Sequence, residues 1–416
     1  MQIKRKFVPA LLLAVLTSGI SSTAFAVEKC EIDKRKTKVM SERVGKKVGK
    51  AFELYSADQV NEALAMLLEI EPKKEFDKAY VNRFIGNLYA GIDGKVSTAL
   101  KHIKLAVDAD VLGGTDHAAS LRLLADLYMQ EKQYKPALDM YSKWMAFSCK
   151  EDKNVYLRMG QANFELKQYM DVIPLADKAI ALEETPNKNA YILKMGSYVE
   201  TKQYKKAAKV VEQMVELFPS EGRLWVQLSQ MYLLSEDYQK ALYTADVAHR
   251  QGLLEKPAEF KMLAQLLAQN GIPFKSAQIQ EKYLKDGLVE KDEQSLSMLA
   301  NTYHQAKEIK LAAKYYGEAA ELSNESKHFA KQAALLLEIQ QFKSAQAAGK
   351  KALQAKGVKS KGQIQMILAQ AYFYNDEFKA AYKACEAATK DKKTAKAASS
   401  WLGYIKDTAK RKNVSI

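Results

Sequence analysis

Three cysteines and five histidines are the residues of this 416-residue chain best suited to thiol or metal chemistry. The cysteines are Cys30, Cys149 and Cys385, and no Cys-x-x-Cys occurs, so neither a dithiol redox motif nor a zinc ribbon is present. The histidines are His102, His117, His249, His304 and His328; no two are three to five residues apart, so no single helix offers a metal a pair of them. Gly45-Lys46-Lys47-Val48-Gly49-Lys50 approaches a phosphate loop but has three residues between its glycines where four are needed. It also lacks a hydroxyl residue after Lys50 and a preceding strand. No Gly-x-Ser-x-Gly marks a nucleophile. The many carboxylates fall on solvated faces, away from any apolar pocket that would raise a pKa. These residues point to no metal, no cofactor and no catalysis.

The positioning elements are more informative. Ten times an aromatic or branched apolar residue is followed three positions later by a small one, usually alanine. The lead residues are Val60, Val96, Tyr134, Tyr169, Tyr204, Tyr238, Phe274, Ile309, Phe342 and Phe378, spaced by 36, 38, 35, 35, 34, 36, 35, 33 and 36. Such a period marks an array of stacked units. In the copy from Glu221 to Pro257, Trp225, Leu228, Ser229 and Tyr232 share one helical face, and Ala241, Ala245 and Ala248 share a face of the next helix. Large residues on one helix need small ones on its partner if two helices are to approach to ~8–10 Å. Trp225 is therefore expected to face Ala241 and Ala245.

In register, Trp225, Leu228, Ser229, Tyr232, Ala241, Ala245 and Ala248 resemble the tetratricopeptide (TPR) pattern, with Ser229 in place of glycine. The resemblance runs from about residue 46 to about residue 389, with the copies at Val60 and Phe274 degenerate. It implies an all-α, right-handed α-solenoid of about ten helical hairpins with a C-terminal capping helix. The expected organisation is a signal peptide over 1–26, a polar basic segment over 27–45, the solenoid over 46–389 and a basic capping helix and tail over 390–416. In this family first helices line a groove that holds a partner. Carried over residue by residue, the groove positions are Leu157, Gln161 and Phe164, then Ile192, Gly196 and Val199, then Val226, Gln230 and Leu233. They form an apolar strip with amides and a glycine between, suited to an amphipathic helix or an extended apolar segment, or else to packing between helices.

Residues 1–26 read as an export signal: Lys4, Arg5 and Lys6, a short apolar stretch from Phe7 to Ile20, then Ala24-Phe25-Ala26. The mature chain is expected to start at Val27 in a periplasm. The full chain carries a formal net charge of +15. That charge sits at the ends: residues 343–416 hold sixteen Lys/Arg against five Asp/Glu, net +11. An exported protein meets little nucleic acid, so the basic ends suit an anionic membrane surface or an acidic protein segment. Lys406, Lys410, Arg411 and Lys412 form the candidate docking patch. Cys385 takes the place of a buried second-helix aromatic, which leaves Cys30 and Cys149 to pair in an oxidising compartment or all three thiols to stay free.

The export signal, the length, the array and Glu28-Lys29-Cys30-Glu31 also resemble periplasmic TPR proteins associated with TonB–ExbB–ExbD systems. That resemblance implies a non-enzymatic adaptor for an envelope protein, serving TonB-dependent iron-siderophore uptake. An envelope-assembly or cell-wall scaffold on peptidoglycan or lipid, and an accessory subunit of an envelope enzyme, are the alternatives.

Overall fold

The structure is a computed structural model that describes residues 30–416. The expected export signal lies outside those residues. The described chain is helical and falls into two units, one ending at Lys167 and one covering Gln168–Ile416.

The first unit contains α1 (Glu31–Lys34), α2 (Glu42–Ser56), α3 (Val60–Leu68), α4 (Glu75–Ala90), α5 (Val96–Asp108), α6 (Gly114–Gln130), α7 (Tyr134–Ser148) and α8 (Lys153–Glu165). From α2 onward, each helix packs on the next. The second unit contains α9 (Tyr169–Ala181), α10 (Lys188–Glu200), α11 (Tyr204–Leu217), α12 (Gly222–Leu234), α13 (Tyr238–Arg250), α14 (Pro257–Gln269) and α15 (Pro273–Lys285). It continues through α16 (Glu293–Gln305), α17 (Ile309–Ser323), α18 (Ser326–Glu338), α19 (Phe342–Gln354), α20 (Lys361–Tyr374), α21 (Phe378–Thr389) and α22 (Ala395–Arg411). Here too successive helices pack pairwise.

Nine of the ten lead residues open a helix, and Phe274 is the second residue of its own. Their small partners three positions on are Ala63, Ala99, Ala137, Val172, Ala207, Ala241, Ala277, Ala312, Ala345 and Ala381, and all ten are 0% exposed. The copies at Val60 and Phe274 thus obey the same packing rule as the rest. The turn before each lead residue is equally regular. Asp58, Lys132, Lys167, Lys202, Glu236, Lys307, Gln340 and Asp376 each sit two residues ahead of one and adopt φ between 56° and 63°. Glycine takes this left-handed position in the turns before Val96 and Pro273, as Gly94 and Gly271. The side chains elsewhere accept some strain there, because the reversal into the second helix demands that conformation.

Trp225 packs against the core cluster that holds Ala241 and Ala245, but from its edge. It is half-buried, and its indole N–H donates to the Pro219 carbonyl at 2.8 Å. Ser229 on the same face reaches the next helix directly, its hydroxyl donating to the Ala241 carbonyl at 2.8 Å. Leu228 and Tyr232 carry the buried bulk of that face.

The polar basic segment is tied down at several points. A disulfide joins Cys30 to Cys149, with Cα atoms 5.9 Å apart. Helix α1 then lies on α6 and α7. Gly114 donates its N–H to the Arg35 carbonyl, and a Cβ on Gly114 would meet the Ile32 oxygen at 2.0 Å, so only glycine lets the segment approach this closely. Arg35 pairs with Asp110 at 2.6 Å and stands 4.9 Å above the Phe147 ring. Ser41 donates from both its backbone and its hydroxyl to the buried carboxylate of Asp77. The array itself begins at Glu42, four residues earlier than expected.

At the other end α22 caps the stack. Ala398, Ile405 and Ala409 are 0% exposed against α20 and α21. Trp401 meets Phe373 edge-on at 5.5 Å. Cys385 is a free, buried thiol beside the Ala398 carbonyl, and burial pushes its pKa up to about 11, so it behaves as a small apolar residue. Among the described residues no helix is long and apolar enough to cross a membrane.

Candidate functional site

The sequence nominated nine groove residues, and the structure places them unevenly. Leu157, Gln161 and Phe164 lie on α8 in the first unit, with Gln161 exposed and the other two half-buried. In the second unit Ile192 is 47% exposed, Gly196 is half-buried and Gln230 is exposed. Val226 is a correction: it is buried in the core cluster, and Val199 and Leu233 pack against the same cluster. On α10 and α12 the apolar strip is therefore largely hairpin packing, with Ile192 its most exposed large side chain. Branched side chains on adjacent first helices bury one another before any partner can reach them.

The more open first-helix surface lies further along the chain, on residues the sequence reading passed over. Between α14 and α16 runs a cleft of about 560 Å³. Its α14 wall presents Gln265 and Gln269, one turn apart, and its α16 wall presents Gln294, Ser297, Asn301 and Gln305 at i, i+3, i+7 and i+11. These spacings keep each row on one helical face. The side chains of Gln265, Gln269, Gln294 and Gln305 are exposed and have no hydrogen-bond partner among the described residues. A glutamine amide offers a donor and an acceptor together, which is what an extended peptide backbone requires. The signal was present in the sequence as amides at helical spacing, but it needs the neighbouring helix to become a cleft.

Between α18 and α20 lies a second cleft, of about 910 Å³. Lys327, Lys331, Lys356 and Lys359 line it against a single carboxylate, Glu325, over a floor that includes Ala334 and Ile367. Its rim is built by the backbone. Ser326 donates to the Lys356 carbonyl at 2.9 Å, and Lys356 donates to the Asn324 carbonyl at 2.9 Å. Gly357 then takes φ +69°, a turn that carries the chain on to Lys359. The two clefts adjoin: Lys331, lining the second, donates to Asn301, lining the first, at 3.3 Å.

Ion pairs stiffen this region. Glu281 accepts from the Lys285 ammonium at 2.6 Å, from the Tyr315 hydroxyl at 2.6 Å and from Tyr303. Burial works against its ionisation, but these three hydrogen bonds outweigh it and hold the carboxyl down at about 2. The same site drives Tyr303 and Tyr315 upward, through burial first and then the bond to the carboxylate. Glu293, Glu325 and His328 bring three potential ligand atoms within 4.8 Å of one another, a grouping across two helices that no spacing rule reveals. Lys327 stands 2.6 Å from Glu325 and 3.2 Å from Glu293, and its charge occupies the place a cation would take. Hydrogen bonds from His328 first, and then from Lys327, hold Glu293 below the usual carboxylate range. The arrangement is an ion-pair network that joins α16 to α18.

The basic patch nominated at the C-terminus is partly spent on the fold. Lys412 pairs with Asp376 at 2.5 Å and Lys406 lies 5.1 Å above the Tyr382 ring. Arg411 donates to the Thr408 hydroxyl at 3.0 Å, and Lys410 is exposed.

Comparisons with known proteins are informative to different degrees. The family model described as ChAPs (Chs5p-Arf1p-binding proteins) matches residues 121–256, a minority of the chain. A tetratricopeptide repeat protein from Parabacteroides merdae is similar in structure at 14% identity and a TM-score of 0.37, over 63% of this chain and 99% of that one. The C-terminal part of a TPR protein from Cytophaga hutchinsonii is similar at 15% identity and a TM-score of 0.39, over 57% of this chain and 96% of that one. YrrB, described as a TPR protein with an unusual peptide-binding site, is similar at 20% identity and a TM-score of 0.35, over 42% of this chain and 85% of that one. At these TM-scores the likenesses say nothing about partner, ligand or compartment. Among curated proteins no sequence matches the chain. The ten buried small residues and ten left-handed turns make each repeat a closely packed helical hairpin, the arrangement the tetratricopeptide resemblance implies.

Proposed function

We propose that this chain is an exported, non-catalytic scaffold that holds an extended segment of an envelope protein along the first helices from α14 to α20. One observation carries the reading: four unpartnered glutamine amides, two on each helix, line the α14–α16 cleft. A bound backbone would restore the hydrogen bonds that these side chains lack within the protein. Each such bond contributes about 0.5–1.5 kcal/mol net. The triple variant Gln269→Ala, Gln294→Ala, Gln305→Ala should therefore weaken partner capture from an envelope extract by about a hundredfold. Its helical circular dichroism should stay unchanged, since the three side chains are exposed and make no hydrogen bond among the described residues. Unimpaired capture by a folded triple variant would defeat the reading.

Export rests on the sequence of residues 1–26. The narrower role, in TonB-linked iron-siderophore uptake, rests on the resemblance of the early cysteine and the array to proteins of those systems. An intact mass beginning at Val27 in periplasmic protein tests the first. Co-purification of TonB-system components with the wild type but not the amide variant tests the second. A cell-wall or lipid scaffold is the other reading, favoured by the net +11 of residues 343–416.

A further inference from the structure

The α18–α20 cleft differs from its neighbour in charge, and the difference indicates what enters it. Two of its four lysines are already engaged. Lys327 pairs with Glu293 and Glu325, and Lys331 donates to the Tyr316 hydroxyl at 3.0 Å and lies 4.9 Å over that ring. Lys356 and Lys359 are exposed and have no side-chain partner among the described residues. The backbone bridge fixes the Lys356 main chain at the rim, and the Gly357 turn carries the chain on to Lys359. Lys356 and Lys359 thus leave two uncompensated positive charges lining the cleft, which an incoming anion would neutralise. At about 910 Å³ the cleft is larger than a single inorganic anion needs, and Ala334 and Ile367 give it apolar ground between the charges. Lys392 and Lys393 are likewise exposed but lie outside the cleft. An extended chain can cross from this cleft to the adjoining amide rows, where its backbone is served.

We infer that the α18–α20 cleft takes an acidic segment of the partner protein, with aspartate or glutamate side chains on Lys356 and Lys359 and the flanking backbone running toward the α14–α16 amides. This rests on the reading of the first-helix face as a protein-binding surface and adds the chemistry of its occupant.

The test titrates the full mature protein, disulfide intact, against a fluorescein-labelled oligoglutamate peptide, read by anisotropy. Saturable binding is expected, weakening as salt rises, because exposed charge contacts are screened over ~8 Å at physiological ionic strength. Lys356→Ala with Lys359→Ala should weaken it about tenfold. Lys392→Ala with Lys393→Ala should leave it unchanged, and both variants should melt like the wild type. The inference is overturned if the cleft variant binds as tightly as the wild type, or if both variants lose affinity equally. It is also overturned if phosphatidylglycerol vesicles depend on Lys356 and Lys359 while oligoglutamate does not bind. The amide triple variant separates the two claims. If it loses partner capture while oligoglutamate never binds, the scaffold reading stands and the acidic occupant falls.

Discussion

Glu281 is a single side chain on which two tyrosines and a lysine converge, and its protonation should be visible in the stability of the second unit. Its pKa falls from the ordinary 4.5 to about 2, so the ionised form is the one the fold prefers. The stabilisation is fully present above pH 4.5 and is lost as the pH falls toward 2. Allowing for solvent screening, it amounts to about 1–2 kcal/mol. Glu281→Gln should lower the stability of the second unit at neutral pH by that amount and flatten its acid dependence across this window, as acid titrations of circular dichroism will show. Equal acid sensitivity in variant and wild type would contradict the assignment. The left-handed turns make a second residue-scale prediction. Lys202 and Glu236 adopt φ of 57° and 62°, where a Cβ is a burden. Lys202→Gly should raise stability by about 1 kcal/mol or less, the relief of strain being offset in part by greater freedom of the unfolded chain. A denaturant midpoint shifted downward would contradict it. Neither feature was legible in advance: a turn of Lys-Gln-Tyr does not announce positive φ, and Glu281 meets its tyrosines from two other helices.

Helices were the legible scale. Lead residues at a period near 35 marked where second helices start, because a bulky residue three before a fully buried alanine is a packing requirement that any first helix imposes. At Trp225 the large ring on the right face packs against the core from its edge and also donates to a carbonyl, so it is only half-buried. Val226, Val199 and Leu233 follow the packing alternative the sequence left open, since position in a repeat cannot say whether a neighbour already covers a side chain. The tie between the first described segment and α7 is an element-scale device. The Cys30–Cys149 bond spans 119 residues, and a loop of that length confers at most about 5 kcal/mol through the unfolded chain. Because stacked repeats couple mainly to neighbours, the effect of losing it should be local. Cys30→Ser should speed amide exchange over α1 and the start of α6, cost about 2–4 kcal/mol in the first unit, and leave α14 to α21 unchanged. Uniform loosening of the whole chain would contradict a nearest-neighbour stack.

At the scale of the molecule, the account is of an array whose small-residue packing is spent on stacking and whose first-helix face is left to a partner. Amides and lysines, not the apolar strip, are what the second unit exposes there. The most direct measurement is site-specific photo-crosslinking in the producing cell, with the reactive residue placed at Ser297 in the amide cleft or at Tyr243, which is 65% exposed on α13. The account predicts a discrete protein adduct from position 297 and none from position 243. An adduct from position 243 alone, or none from position 297 in folded, abundant protein, would contradict it.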